Sequence, residues 1–200
     1  QQFSIHENIE IGLYGVDFVK SASQYLSVDN EPVDLGWREL GYLFLASSEG
    51  QRILAENQQL QNQCGAKIEI LNPDNLKIKF PWLNIDGIAL GSFGYEGEGW
   101  LDPSLLLNAF RAKARALGTT FLYDEVKEIV KHKQKISSVV LDSGVQVGCG
   151  FLVNAAGAWA GAVAELAKIQ LPVVPKKRII YGLDCREKLN PKLPLVIDVS

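Results

Sequence analysis

The sequence predicts a mixed α/β protein in which a helix–strand part is interleaved with a sheet-rich part. Two observations predict it. Phe151–Gly161 reads as a short apolar strand, a turn of minimal side chains and the opening of an alanine-rich helix. The rest of the chain is strand-rich, with short apolar or alternating runs separated by Gly, Pro, Asn and Asp, and a three-stranded meander before the Phe151 strand. In the turn, Ala155, Ala156 and Gly157 leave the backbone open to a flat or phosphorylated ligand at the carboxyl end of a strand, and Gly157 is free to take a positive φ. The same residues also suit a plain tight turn in which they serve only packing.

Two hundred residues, 47% hydrophobic and 22% charged, describe a globular chain able to bury roughly 70% of its unfolded surface. A net charge of −3 gives no footprint for nucleic acid. Cys64, Cys149 and Cys185 are far apart, no Cys-x-x-Cys occurs, and His6 and His132 are the only histidines, so no metal site is expected and the thiols are expected to be reduced. No apolar run reaches 18 residues, so no transmembrane helix is predicted.

In chain order, Ile9, Leu13, Val16, Val19, Ala22 and Leu26 give residues 7–27 a helical period, and 29–37 is a loop. Residues 41–46 form a strand buried on both faces. Residues 51–63 form a helix whose many Gln and Asn mark a solvated face. Residues 67–71 alternate as a strand, and Asn72-Pro73 caps and starts a short helix. Residues 88–95 are a strand, and Glu96-Gly97-Glu98-Gly99 is a flexible connector or, alternatively, a pair of carboxylates at a domain junction. Asp102-Pro103 opens a helix that Gly118 ends. Residues 119–130, 136–141 and 145–147 form the meander, whose lysines at 127, 131, 133 and 135 are solvated near a hairpin tip. After the Phe151–Gly161 unit, 171–174, 179–184 and 195–199 read as strands, with Pro191 and Pro194 in the loop before the last.

The segment Val153-Asn154-Ala155-Ala156-Gly157-Ala158-Trp159 resembles the late FAD-contact segment of the D-amino acid oxidase superfamily, which includes sarcosine oxidase-like enzymes. Further segments resemble a mitochondrial branch of that family linked to assembly of respiratory complex I. They are Gln1–Ser4, Gly41–Ser47, Lys79–Asn84, Glu98–Pro103 and Lys176–Arg178, and they occur in the family's order.

The resemblance implies an FAD-binding Rossmann-like domain from residues 1–40 and 99–168, interleaved with a sheet-based substrate domain from 41–98 and 169–200. It implies an internal piece, because the Gly-x-Gly-x-x-Gly motif of the N-terminal dinucleotide unit is missing from this sequence. It implies FAD as cofactor, with Val126 meeting the adenine through its backbone and Asn154, Ala155, Ala156, Gly157 and Trp159 at the flavin nucleotide. Trp159 is alternatively a helix anchor in the core. The implied reaction is oxidation of a C–N bond in a secondary amine or amino acid. The alternative is a flavin-containing assembly factor that binds complex I subunits. No catalytic residue is assigned, and Arg178 is a candidate on the substrate side.

Overall fold

A computed structural model describes residues 1–186 and 192–199. Contacts divide the chain into two compact units, Gln1–Thr119 with Lys188–Ser200, and Thr120–Glu187. This division follows contact density, whereas the interleaved assignment above groups segments by the ligand they would serve.

The first unit is built on a four-stranded sheet in the order β2-β3-β1-β7. Its strands are β1 (Tyr42–Ala46), β2 (Lys67–Leu71), β3 (Leu90–Glu96) and β7 (Leu195–Asp198). β3 runs antiparallel to both β1 and β2, and β7 runs parallel to β1 from the register Tyr42↔Leu195. Side chains alternate along β1. Leu43 and Leu45 enter a core with Leu71, Leu76, Phe80 and Phe93. Helix α4 (Pro73–Lys79) delivers Leu76 to this core. The Asn72 side chain accepts the Asn75 N–H at 2.8 Å and so caps α4 as expected.

Helix α1 (His6–Lys20) stops at Ser21, and α2 (Ala22–Leu26) follows, so the expected 7–27 helix is two helices. Ile9 joins Ala66 and Ile68 in a second buried cluster. Ala22, Leu26 and Leu35 form a third, against Leu106 and Ala109 of α5 (Pro103–Ala116). The Asp102 carboxylate caps α5 by accepting the Ser104 and Leu105 N–H groups at 2.7 and 3.3 Å.

Helix α3 (Gln51–Gln63) has the expected bounds, but its amides are not simply solvated. Gln58 and Asn62 donate to the Ile68 carbonyl, each at 2.9 Å, and Gln61, 3% exposed, donates to the Phe3 carbonyl. An amide at helical spacing can reach a neighbouring backbone as readily as it can reach water, and that is where these go. The Glu96–Gly99 connector is likewise structured. Glu98 is 5% exposed, and Gly99 lies where an added Cβ would sit 1.9 Å from the Arg38 carbonyl oxygen.

The second unit carries the expected meander: β4 (Val126–His132), β5 (Lys135–Leu141) and β6 (Gln146–Gly148), in that order and antiparallel. Its core is Ile129, Val139, Leu141 and Ala167. β4 starts at Val126, not at 119. β5 ends at Leu141, where Asp142-Ser143-Gly144 turns, and the pairing runs out after one more bond, from the Asp142 N–H to the Glu125 carbonyl at 2.8 Å. The Phe151–Asn154 strand also does not form. Among the described residues no strand pairs with it, and Phe151 is 95% and Val153 85% exposed, so this expected buried strand is an exposed extended segment. A strand needs a ladder partner, whatever its apolar content. Residues 171–174 and 179–184 take no strand conformation either. Pro191 lies outside the described residues.

Candidate functional site

The Asn154–Trp159 turn is held by its own asparagine. Asn154 Oδ1 accepts the Ala156 N–H at 3.2 Å, and Nδ2 donates to the Ala160 carbonyl at 2.9 Å. Those two bonds span the turn from entry to helix and leave the small residues between them bare. Gly157 has φ +55° and opens a single 3-10 turn, Gly157–Trp159, which runs into α6 (Ala160–Leu166). A Cβ added at Gly157 would have no heavy atom within 4 Å, so the position is fixed by backbone conformation and open on its side-chain face.

Below the turn lies an open cleft of about 670 Å³ within the second unit. The start of β4 contributes Asp124 to Lys127, the extended segment contributes Leu152 to Ala156, and the following helix contributes Trp159, Ala162, Val163 and Leu166. Five of the residues singled out from sequence therefore line one cleft: Val126, Asn154, Ala155, Ala156 and Trp159. The sixth, Gly157, shapes the turn above it. Trp159 is 72% exposed and lines the cleft in this structure. Sequence reasoning missed Leu152, Ala162, Val163 and Leu166. The i, i+4 spacing of Ala162 and Leu166, with Val163 beside it, was the available signal for them.

Charge at the mouth of the cleft is paired. Lys127 Nζ lies 2.9 Å from Glu125 Oε2 and 3.6 Å from Asp142 Oδ1, and the Glu125 carboxylate raises the lysine pKa. The Ser143 hydroxyl and then the Glu125 N–H, both donating to Asp124, hold its carboxyl below the usual range. Lys131 Nζ donates to the Ala167 carbonyl at the end of α6 and so ties β4 to that helix. Lys127 and Lys131 thus have partners within the unit. Arg178 lies on an exposed stretch without regular structure. Among the described residues no cluster of His, Cys, Asp and Glu has the arrangement of a metal site.

The family model described as DAO, FAD dependent oxidoreductase, matches residues 9–199. The chain belongs to the DAO family of FAD-dependent oxidoreductases. FAD-dependent oxidoreductase domain-containing protein 1 of Xenopus laevis is 40% identical over 230 residues, covering 100% of this chain and 46% of that protein. Mitochondrial sarcosine dehydrogenase of Mus musculus is 26% identical, covering 80% of this chain and 18% of that enzyme. Among solved DAO-like folds, L-proline dehydrogenase from P. horikoshii superposes with a TM-score of 0.77 at 24% identity, covering 99% of this chain and 51% of that one. Iminodiacetate oxidase from Chelativorans sp. BNC1 gives 0.68 at 20% identity, covering 94% and 51%. The fold is thus that of the DAO family, as the resemblance of the ordered segments implied. The chain spans about half the length of the DAO relatives it matches over its whole extent. FAD is the family's cofactor.

Proposed function

We propose that this chain is part of an FAD-dependent enzyme that oxidises a C–N bond of a secondary amine or N-alkylated amino acid. The carrying observation is the cleft of the second unit. Small and apolar residues from the turn and α6 line it beside the charged Asp124, Glu125 and Lys127, Val126 lies in the lining, and the adjoining turn has a left-handed Gly157 and is pinned at both ends by Asn154. These features fit the adenosine end of FAD. Val126 offers backbone edge, Leu152, Val163 and Leu166 offer apolar surface for a flat ring, and Ala155, Ala156 and Gly157 allow close main-chain approach. Residues 1–40 and 99–168 would serve FAD, and 41–98 and 169–200 the substrate.

When bound, FAD supplies the two-electron acceptor for the reaction. The C–N single bond of the amine would become C=N as the carbon-bound hydrogen leaves with two electrons for the acceptor and the nitrogen-bound proton leaves to solvent, and water would then hydrolyse the imine to a carbonyl compound and a shorter amine. The part of this chain is to fix the cofactor and orient its ends. The relatives named as sarcosine, dimethylglycine and L-proline dehydrogenases and as iminodiacetate oxidase share one chemistry in their named compounds, an alkylated amino nitrogen next to a carboxylate-bearing carbon. Their names support the substrate class.

A mitochondrial location is supported by the likeness to mitochondrial sarcosine and dimethylglycine dehydrogenases. A second reading is an assembly factor that keeps flavin and binds subunits of respiratory complex I. The higher identity to FAD-dependent oxidoreductase domain-containing protein 1 than to sarcosine dehydrogenase favours weighing it. Incubation of the full-length protein with a panel of N-methyl amino acids, followed by mass spectrometry, tests the enzyme reading. A demethylated product with its carbonyl partner is expected. No product from any member contradicts it.

A further inference from the structure

The ladder of the second unit turns the main chain of one cleft residue outward. In an antiparallel pair, opposite residues alternate between those that exchange main-chain hydrogen bonds and those whose N–H and C=O point away from each other. The Asp142 N–H donates to the Glu125 carbonyl at 2.8 Å, so the rung before Val126↔Leu141 is a bonded one. Leu141 faces the other way. Its N–H donates to the Val145 carbonyl and its carbonyl accepts the Gly144 N–H, each at 2.9 Å. The N–H and C=O of Val126 therefore point away from β5. β4 is the outer strand in the order β4-β5-β6, and Val126 lines the cleft.

Two residues of the turn after β5 hold this edge. Besides the Asp142 N–H bond, the Ser143 hydroxyl donates to Asp124 Oδ2, and Asp124 Oδ1 accepts the Glu125 N–H at 2.8 Å. Asp142 Oδ1 lies 3.6 Å from Lys127 Nζ, which also meets Glu125 Oε2 at 2.9 Å. Residues on both sides of Val126 are thus tied to Asp142 and Ser143. The ion pairs are exposed and contribute little. The hydroxyl-to-carboxylate bond is charge-assisted and has a fixed direction, so it carries more of the hold. A register shift between Val126 and Glu128 adds an independent sign. It marks a bulge at Lys127, and a bulge bends its strand and re-aims the residues beside it.

We propose that Ser143 is a positioning residue: through Asp124 it aims the outward main chain of Val126 into the cleft and so sets the preference of the cofactor site for an adenine base. One N–H and one C=O on a single residue complement a base edge with an amino donor beside a ring-nitrogen acceptor. Hypoxanthine has a carbonyl in place of the amino group and leaves the Val126 carbonyl facing an acceptor. A site built on hydrogen bonds rejects an analogue that lacks them, because its own groups are then left unpaired. The choice of ligand rests on the reading of this cleft as the adenosine end of the FAD site, and the positioning contacts rest on the ladder alone.

The test is calorimetric titration of the full-length protein, freed of flavin, with ADP and with inosine diphosphate. ADP is expected to bind about tenfold more tightly, the worth of one to two hydrogen bonds. Ser143→Ala is expected to narrow that ratio to about threefold or less, and Ser143→Thr, which keeps the hydroxyl, to preserve it. A merely structural loss would weaken both nucleotides alike and leave the ratio where it was. Binding of neither nucleotide, equal affinity for the two in the wild type, or an undiminished ratio in Ser143→Ala overturns the proposal. An ADP preference that Ser143→Ala narrows, in a protein whose flavin no amine bleaches, would defeat the enzyme reading and leave this one standing. Flavin that an amine bleaches, with equal affinity for the two nucleotides, would do the reverse.

Discussion

At Gly157 the backbone and the ligand space make separable demands. The φ of +55° costs an ordinary side chain about 1–2 kcal/mol, whereas asparagine tolerates it. In the full-length protein, Gly157→Val is therefore expected to weaken FAD retention roughly 5- to 30-fold or more, and Gly157→Asn to weaken it less. Flavin absorbance per chain after gel filtration reads both, and unchanged flavin content in the valine variant would remove Gly157 from the site. Asn154→Ala deletes the two bonds that brace the turn, worth together about 1–3 kcal/mol. It is expected to lower flavin content while the circular dichroism stays unchanged. Glu39 gives a pH signature. The Lys20 ammonium first, then the Gly97 N–H, hold its carboxyl below the usual range. A depressed folded pKa contributes stability above the ordinary carboxylate value, and that contribution disappears as pH falls through the folded value. Glu39→Gln is accordingly expected to flatten the fall in melting temperature below about pH 4.3, and an unchanged acid limb would contradict this.

At the scale of elements, α4 packs closely on β3. A Cβ at Gly91 would lie 2.7 Å from Leu76 Cδ2, and Leu76 is fully buried. Leu76→Ala is expected to destabilise the sheet by about 2–5 kcal/mol, seen as faster hydrogen exchange at β1 and β3 amides. Exchange at wild-type rates would show that the site collapses around the smaller residue. Elements with local signals were legible in the sequence. Asn72-Pro73 and Asp102-Pro103 announced their helices, and α3 has the bounds its pattern gave. Elements that depend on a partner were not. Thr119–Val130 and Phe151–Asn154 have the composition of strands, but pairing decides, and the ladder begins at Val126↔Leu141. Asn154 was legible as part of a motif. Its two hydrogen bonds across the turn were not, because residue type does not tell where an amide will point.

At the scale of the whole molecule, the family was readable because short segments spread from Gln1 to Arg178 kept their order, and the family match spans residues 9–199. The burial of Glu98 was not readable. Glu98 stands in a glycine-rich stretch with the composition of a loop, and only the fold brings it beside Gln2, Trp37 and Tyr42. The chain spans 46% of the Xenopus laevis relative, and the decisive test uses the full-length protein. The measurement is its visible absorption spectrum under anaerobic conditions, before and after adding N-methyl and other amino-acid amines. The account predicts flavin bands in the purified protein that bleach with at least one secondary amine. Flavin bands that no amine bleaches would contradict amine oxidation, and a protein without flavin bands would contradict the cofactor site as well.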